Sequence, residues 1–169
     1  ACALCGQCTV ICPNGFDMSQ VCKSARENMV STDKMPLAPH EFALMDMLFS
    51  NSEAFLSRLQ PGYETCRYVF FPGCQAGAIA PDVVMQAYED LSNRVAGGVA
   101  LMLGCCGAIS EWAGRYEMTE KVNEQLKQEL AKLGDPASIA GCPSCMKQLK
   151  ESTGAVVTGV WEILKEIGL

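Results

Sequence analysis

The chain contains the segment Val99-Ala100-Leu101-Met102-Leu103-Gly104-Cys105-Cys106-Gly107, in which an apolar run leads into a pair of cysteines flanked by glycines. A short apolar run of this kind fits a β-strand that is buried on both faces. Similar runs occur at residues 68–71, 138–140 and 155–157. The sequence therefore predicts four buried strands, one of which is followed directly by two cysteines.

Patterns typical of amphipathic helices separate these runs. After the run at residues 68–71, Pro81 can open a helix with four apolar residues on one face: Val84, Ala87, Tyr88 and Leu91. After the run at residues 99–103, a longer stripe has helical spacing: Met118, Val122, Leu126, Leu130 and Leu133. Shorter helices are predicted over residues 146–150 and 161–164. Because parallel strands require crossover connections, this alternation predicts an α/β fold with a four-stranded parallel sheet and flanking helices.

The other cysteines of this region also follow predicted strands. Cys74 comes three residues after the run at residues 68–71, and Cys142 and Cys145 follow the run at residues 138–140. In open parallel sheets, ligands bind outside the carboxyl ends of the strands. We therefore expect Cys74, Cys142 and Cys145 to converge with Cys105 and Cys106 at one edge of the sheet.

The amino-terminal part of the chain has a second, denser group of cysteines. Its spacing is Cys2-x-x-Cys5-x-x-Cys8-x-x-x-Cys12-Pro13, which matches the iron–sulfur run of bacterial-type ferredoxins. Three thiolates in one tight loop can reach three irons of a [4Fe-4S] cubane, whereas the fourth cysteine ligates the other cluster in two-cluster proteins. A zinc knuckle and buried free thiols are the alternative interpretations.

This sequence has one such run, so the fourth ligand of its cluster is open. Cys12 and Cys22 are the candidates, although Cys22 also fits a small apolar residue on a helix face, as Cys66 fits a packing residue. The segment after Pro13 is similar to the one that follows the second run of two-cluster ferredoxins. We therefore expect the chain to be a fragment of a longer polypeptide.

Two further helices are predicted between the cysteine run and the sheet. Asp17 can cap the first helix, and residues 35–39 break it. The second helix runs from about residue 40 to residue 59 and ends at the turn Gln60-Pro61-Gly62. We accordingly divide the chain into a small helical ferredoxin-like segment with linker helices, residues 1–62, and an α/β domain, residues 63–169.

Composition limits the functional classes. The 169 residues include 11 cysteines, and the formal net charge of −6 lacks the basic footprint of a nucleic-acid-binding protein. No apolar run in the sequence reaches the roughly 18 residues that a membrane span needs, and the amino terminus has no signal-peptide pattern. We expect a cytoplasmic protein, in which clustered cysteines bind metal or carry out redox chemistry more often than they form disulfides.

The cysteines of the α/β domain carry a resemblance to a known family. Cys74, Cys105-Cys106-Gly107 and Cys142-Pro143-Ser144-Cys145 resemble the CCG cysteine-rich domain of heterodisulfide reductase subunits B and D, and Phe71-Pro72-Gly73 looks like the family's opening turn. The same domain occurs in iron–sulfur subunits of anaerobic glycerol-3-phosphate, glycolate and lactate oxidation. A ferredoxin-like module fused upstream is typical of the family.

The resemblance implies a function and a set of ligands. One CCG motif would hold a noncubane [4Fe-4S] cluster through five thiolates: Cys74, Cys105, Cys106, Cys142 and Cys145. The ferredoxin-like cubane would supply electrons from a flavoprotein or ferredoxin-type partner, and a disulfide substrate would be reduced one electron at a time. The chain would then be part of an oxidoreductase of anaerobic metabolism. Family members usually have two CCG motifs and this sequence has one, so half of the expected site is absent.

Three other interpretations stay open at this level. Cys142-Pro143-Ser144-Cys145 resembles a thioredoxin-type redox pair at a helix amino terminus. The thiolates could hold structural zinc, particularly after aerobic preparation. The chain could also serve as the electron-transfer subunit of a flavin-linked dehydrogenase, without substrate chemistry of its own.

Overall fold

The computed structural model describes residues 2–34 and 38–168. The helices are α1 (Gln7–Ile11), α2 (Met18–Ser31), α3 (Ala38–Ser50), α4 (Cys74–Ile79), α5 (Pro81–Arg94), α6 (Ala108–Trp112), α7 (Tyr116–Lys132), α8 (Pro143–Thr153) and α9 (Val160–Glu166). The strands are β1 (Leu56–Arg58), β2 (Tyr68–Phe71), β3 (Val99–Leu103), β4 (Ala137–Ala140) and β5 (Val157–Gly159). From β2 onward, strands and helices alternate along the chain, as the apolar runs predict.

The strands form one sheet in the order β1-β3-β2-β4-β5. β2 pairs in parallel with both β3 and β4, and β4 pairs in parallel with β5. These four strands are the parallel strands that the sequence predicts, although β5 begins at Val157 and therefore lies later than the predicted run at residues 155–157.

A fifth strand, β1, corrects the prediction of a four-stranded sheet. It pairs antiparallel with β3, so that Leu56 lies opposite Leu103. The segment falls within the helix predicted over residues 40–59, and that prediction is wrong beyond Ser50, where α3 ends. Helix propensity is a weak preference, and pairing with the edge of β3 overrides it here.

The sheet has an apolar core on each face because successive side chains of a strand point to opposite sides. On one face, Val69, Phe71 and Met102 pack with side chains of α3, α7 and α8. On the other face, Phe70 and Leu101 pack with side chains of α5 and α9. Helices thus cover both faces, which explains why the strands read as uninterrupted apolar runs.

The predicted helical stripes are confirmed for the two longest helices of the α/β domain. α5 begins at Pro81, and three of its predicted residues are buried: Val84, Tyr88 and Leu91. α7 likewise buries three residues of its stripe: Val122, Leu126 and Leu130. The short helices predicted over residues 146–150 and 161–164 are present and extend further as α8 and α9.

The helices before the sheet differ in how they pack. α2 begins at the predicted cap, because the Asp17 carboxylate accepts hydrogen bonds from the N–H groups of Ser19 and Gln20. Every side chain of α1 and α2 is at least partly exposed. α3, in contrast, contributes Leu44 and Met47 to the core of the sheet. The structure therefore matches the predicted ferredoxin-like segment, residues 1–62, only in part, because α3 and β1 pack as elements of the sheet domain.

The predicted break between α2 and α3 falls on residues 35–39, of which residues 35–37 lie outside the described part of the chain. Within the described residues, no helix combines the length and the apolar character that crossing a membrane requires. The division of the chain after residue 62 stays a prediction.

Candidate metal centre

Five cysteines lie at the carboxyl ends of three neighbouring strands. Cys74 is the first residue of α4, three positions after the end of β2. Cys105 and Cys106 lie between β3 and α6, while Cys142 is the N-cap of α8 and Cys145 lies in its first turn. Because β3, β2 and β4 are adjacent in the sheet, the three loops meet at one edge.

Two of the five sulfurs are in direct contact. The Sγ atoms of Cys74 and Cys105, which come from two separate loops, are 3.4 Å apart. The thiol of Cys106 lies close enough to those of Cys105 and Cys145 to affect its pKa.

Gly73 lets the loops of Cys74 and of α8 approach each other. Its φ of 91° and ψ of 154° lie in a region that is essentially restricted to glycine. A Cβ at this position would lie 3.1 Å from the Sγ of Cys145 and 3.6 Å from the Cβ of Cys142. Because Gly73 has no side chain, Cys142 and Cys145 fit beside the loop that carries Cys74, and all five predicted cysteines lie at this edge of the sheet.

Burial and mutual contact make these thiols weak acids. The neighbouring Cys106 thiol, together with burial, raises the pKa of Cys105 to about 12. The contact with Cys105, together with burial, raises the pKa of Cys74 far above its usual range. For Cys106, the Cys105 thiol lowers the pKa, but the Cys145 thiol and burial outweigh it and raise the pKa overall. A bound metal would supply the positive charge that keeps such thiolates ionised.

Backbone N–H groups lie near two of the same sulfurs. The nearby N–H of Gly107 acts to lower the pKa of the Cys105 thiol. The nearby N–H of Ala108 acts in the same direction on Cys106. Gly107 has φ 82°, a left-handed conformation that glycine adopts without strain and that turns the chain into α6. Hydrogen bonds of this kind stabilise the negative charge of metal-bound sulfur and tune its reduction potential.

Asn51 fixes the backbone of Cys105, and the sequence gives no reason to single it out. Its Oδ1 accepts a 2.7 Å hydrogen bond from the Cys105 N–H, and its Nδ2 donates a 3.1 Å bond to the Cys105 carbonyl oxygen. The carbonyl of Asn51 in turn accepts a bond from Gln125 of α7. Asn51 is 54 positions from Cys105 and belongs to no local motif, so only the tertiary structure identifies its role.

A cavity of about 260 Å³ lies beside the cysteine site, and Cys74 lines it. Its other walls include Phe49 of α3, Gly77 and Ala78 of α4, and Leu103 of β3. The cavity gives a small molecule a mostly apolar route to Cys74, which is half-buried, whereas Cys105, Cys106 and Cys145 are buried.

The cysteines of the amino-terminal run lie at the surface beside α2. Cys5 and Cys8 are exposed, and Cys2 and Cys12 are half-buried. The Leu4 N–H donates a 3.4 Å hydrogen bond to the sulfur of Cys2, and the nearby Cys2 thiol raises the pKa of Cys22 on α2. The run itself is carried by the loop before α1 and by α1, so it does not share the buried environment of the sheet-edge cysteines.

Contacts between α2 and α6 connect the two cysteine groups. Arg26 of α2 donates hydrogen bonds to the carbonyl oxygens of Cys2 and Trp112 through its two terminal nitrogens. Lys23 forms an ion pair with Glu111 at 2.9 Å. Since α6 begins just after Cys105, Cys106 and Gly107, α2 contacts the amino-terminal run on one side and the helix next to the adjacent cysteine pair on the other.

The chemistry of the ligands suits iron–sulfur clusters. Thiolates are the soft ligands that bind such clusters, and each cysteine normally binds one of several irons. The sulfurs of Cys74 and Cys105 are in contact at the sheet edge, and the spacing of the amino-terminal run matches an iron–sulfur run. Over residues 2–34 and 38–168, no three histidine, cysteine, aspartate or glutamate side chains are already gathered around a position for a single metal ion.

Comparisons with known proteins agree with this site. The family model of the CCG cysteine-rich domain matches residues 68–150, a range that contains all five sheet-edge cysteines. An uncharacterized iron–sulfur protein of Methanococcus maripaludis is 23% identical over 185 aligned positions, which cover 99% of this chain and 37% of that protein. The chain thus spans little more than a third of the curated relative that it matches. No solved structure matches the chain.

Proposed function

We propose, from the premise that residues 68–150 belong to the CCG cysteine-rich domain family, that the chain is an iron–sulfur oxidoreductase module. In this proposal, electrons pass from a [4Fe-4S] cubane on the amino-terminal run to a noncubane [4Fe-4S] cluster on the CCG cysteines, where a disulfide is reduced. The role resembles that of heterodisulfide reductase subunits B and D. The matching protein of Methanococcus maripaludis is named an iron–sulfur protein, which supports the cluster chemistry.

One observation carries the proposal. Cysteines from three loops converge at one edge of the sheet: the sulfurs of Cys74 and Cys105 are 3.4 Å apart, and Cys142 and Cys145 lie beside Gly73. Packing alone would not require cysteines at the ends of three adjacent strands, whereas a thiolate-bound cluster at that edge accounts for them.

The residues around the CCG site would hold and tune the cluster. The proposed ligands are the five sheet-edge residues Cys74, Cys105, Cys106, Cys142 and Cys145. A cluster bound there would accept and release single electrons. The Gly107 and Ala108 N–H groups would stabilise the negative charge on sulfur, while Asn51 keeps Cys105 in position.

The amino-terminal run would hold the cubane through Cys2, Cys5 and Cys8, with a fourth thiolate from another cysteine. Cys5 and Cys8 are exposed, so a flavoprotein or ferredoxin-type donor could approach this end of the chain closely. The contact of α2 with α6 supports electron passage between the two groups, because it joins them through packed and hydrogen-bonded protein.

The cavity beside Cys74 supports a small disulfide as the substrate. Reduction of a disulfide R–S–S–R takes up two electrons and two protons and gives two thiols, RSH. The reduced flavoprotein or ferredoxin-type partner supplies both electrons, one at a time. The apolar lining from Phe49, Ala78 and Leu103 favours a disulfide with apolar substituents near the sulfur atoms.

The test is anaerobic disulfide reduction by the reconstituted chain, with reduced methyl viologen as electron donor. We expect thiol formation in proportion to viologen oxidation, and its loss in Cys74→Ala. Cys66→Ala is the matched control, because Cys66 is buried in the core outside both cysteine groups.

The other outcomes are equally informative. Clusters that are reduced by viologen without any thiol formation would assign the chain to electron transfer alone, as a subunit of a flavin-linked dehydrogenase. A chain that binds only zinc after anaerobic reconstitution would overturn the proposal.

A further inference from the structure

We propose that Asp46 makes the cavity beside Cys74 selective for disulfides that carry a positively charged group, such as the ammonium group of an aminothiol. This inference rests on the proposed function, which places disulfide reduction at that cavity, and it names the class of substrate. Asp46 determines specificity by pairing with a part of the substrate away from its sulfur atoms.

The charge of the cavity wall is the first argument. Among the residues that line the cavity, Asp46 is the only one with a charged side chain. Within the described part of the chain, no ion pair involves its carboxylate. A cationic substituent in the cavity would therefore pair with this carboxylate, whereas an anionic substituent would be repelled by it.

The position of the carboxylate is the second argument. Asp46 shares one face of α3 with Phe49 and Ser50, which follow it by three and four residues and line the same cavity. The side-chain amide of Gln75 donates a 3.1 Å hydrogen bond to Oδ2 of Asp46. Because Gln75 directly follows Cys74 in the sequence, this bond holds the carboxylate beside the start of α4.

The size and lining of the cavity limit the rest of the substrate. Its volume of about 260 Å³ lies below the range of about 300–1,000 Å³ that is typical of pockets for drug-sized ligands. Phe49, Ala78 and Leu103 form apolar parts of the wall. A small disulfide with short alkyl chains between sulfur and ammonium fits both features, because the methylene groups contact the apolar wall and the ammonium pairs with Asp46.

The experiment compares three small disulfides with the cluster-loaded 169-residue chain and reduced methyl viologen at low ionic strength. Cystamine is cationic, 2-hydroxyethyl disulfide is neutral and dithiodiglycolate is anionic. We expect the KM of cystamine to be about tenfold or more below that of dithiodiglycolate, with the neutral disulfide between them. The kcat values should differ less, because the ion pair acts on binding, and high salt should reduce the difference in KM.

Variants of Asp46 assign the selectivity to one side chain. Asp46→Asn keeps an oxygen acceptor for Gln75 and removes the charge, so the difference in KM should fall below about threefold. Asp46→Lys should reverse the order of the three disulfides. Glu89→Gln is the matched control, because it removes the same charge from an exposed position on α5, which packs on the opposite face of the sheet. A difference in KM that persists in Asp46→Asn, or that falls equally in Glu89→Gln, would overturn the inference.

A second measurement uses the full chain before reconstitution and needs no turnover. Methanethiosulfonate reagents transfer an RS group to a thiol: the cysteine sulfur forms a disulfide with it, methanesulfinate leaves, and the thiol proton goes to solvent. We expect a cationic reagent to label Cys74 faster than an anionic reagent of matched size, with each rate divided by that at the exposed Cys5 in the same sample. Peptide mapping by mass spectrometry measures both rates, and Asp46→Asn should remove the preference.

The outcomes separate this inference from the function on which it rests. Equal relative labelling of Cys74 by the two reagents, or a lower KM for dithiodiglycolate than for cystamine, would overturn the selectivity. A cluster-loaded chain that forms no thiol from any of the three disulfides would instead overturn the proposed disulfide reduction.

Discussion

Replacing Asn51 by alanine should weaken the CCG site without removing a cysteine. The change deletes two hydrogen bonds to the backbone of Cys105, of 2.7 and 3.1 Å. Each buried backbone group left without a partner costs about 1–3 kcal/mol, and water can replace part of the loss because Asn51 is itself half-buried. We therefore expect a loss of about 2–4 kcal/mol in the free energy of unfolding.

The assay is urea and thermal denaturation of the metal-free chain, followed by iron analysis after reconstitution. For a chain of this size, each kcal/mol lowers Tm by about 2–4 °C, so the expected shift is roughly 4–16 °C. Iron bound at the CCG site should fall as well, because Cys105 is no longer held. Asn51→Asp should have an intermediate effect, since it keeps the acceptor for the Cys105 N–H and loses the donor.

Asn93→Ala is the matched control for this prediction. Asn93 is exposed on α5, and a surface substitution there should change stability by less than about 0.5 kcal/mol. If Asn51→Ala were as stable as Asn93→Ala and bound the same amount of iron, the positioning role of Asn51 would be refuted.

Three further predictions follow from other contacts. Gly73→Ala should destabilise the chain by about 1–3 kcal/mol and lower the iron bound at the sheet-edge cysteines. Gly154→Ala should have smaller effects, because Gly154 has a positive φ but open space where a Cβ would lie. Equal effects of the two variants in urea denaturation and iron analysis would contradict this prediction. Arg26→Leu should accelerate amide hydrogen exchange in α2 by about tenfold or more, because it loses charge-assisted bonds worth about 1.5–3 kcal/mol; unchanged exchange would show that Arg26 does not anchor the helix. Ala78→Phe should fill the cavity and slow disulfide reduction by about tenfold or more, while the cluster EPR signals persist. Ala76→Phe on the same helix should leave the rate of disulfide reduction unchanged, because Ala76 does not line the cavity. Equal rates for the two variants would show that the substrate does not reach Cys74 through this cavity.

The parallel part of the sheet could be predicted because its sequence signal is local. β2 and β3 are covered by helices on both faces, so apolar side chains are favoured at every position of both strands. The stripe of α7 is visible for the same reason, since one helix face packs on the sheet. β1 has no such signal. Its residues form a strand only because the edge of β3 is available to pair with them, and that pairing lies far away in sequence.

The candidate site divides in the same way. Convergence of the sheet-edge cysteines follows from the parallel sheet and from the position of each cysteine after a strand, which the sequence predicts. The role of Asn51 depends on where α3 ends relative to Cys105, which no local pattern encodes. The spacing of the amino-terminal run likewise leaves the fourth ligand of its cluster open.

The central claim is that the chain holds two iron–sulfur clusters on separate cysteine groups. The most direct test measures iron, acid-labile sulfide, zinc and EPR spectra of the anaerobically prepared chain and of its Cys106→Ser variant. We predict about eight irons per chain, falling to about four in the variant, with loss of the CCG signal and retention of the amino-terminal signal. Zinc alone, with no EPR-active state after anaerobic reconstitution, would contradict the account, and equal loss of both signals in the variant would show one shared site.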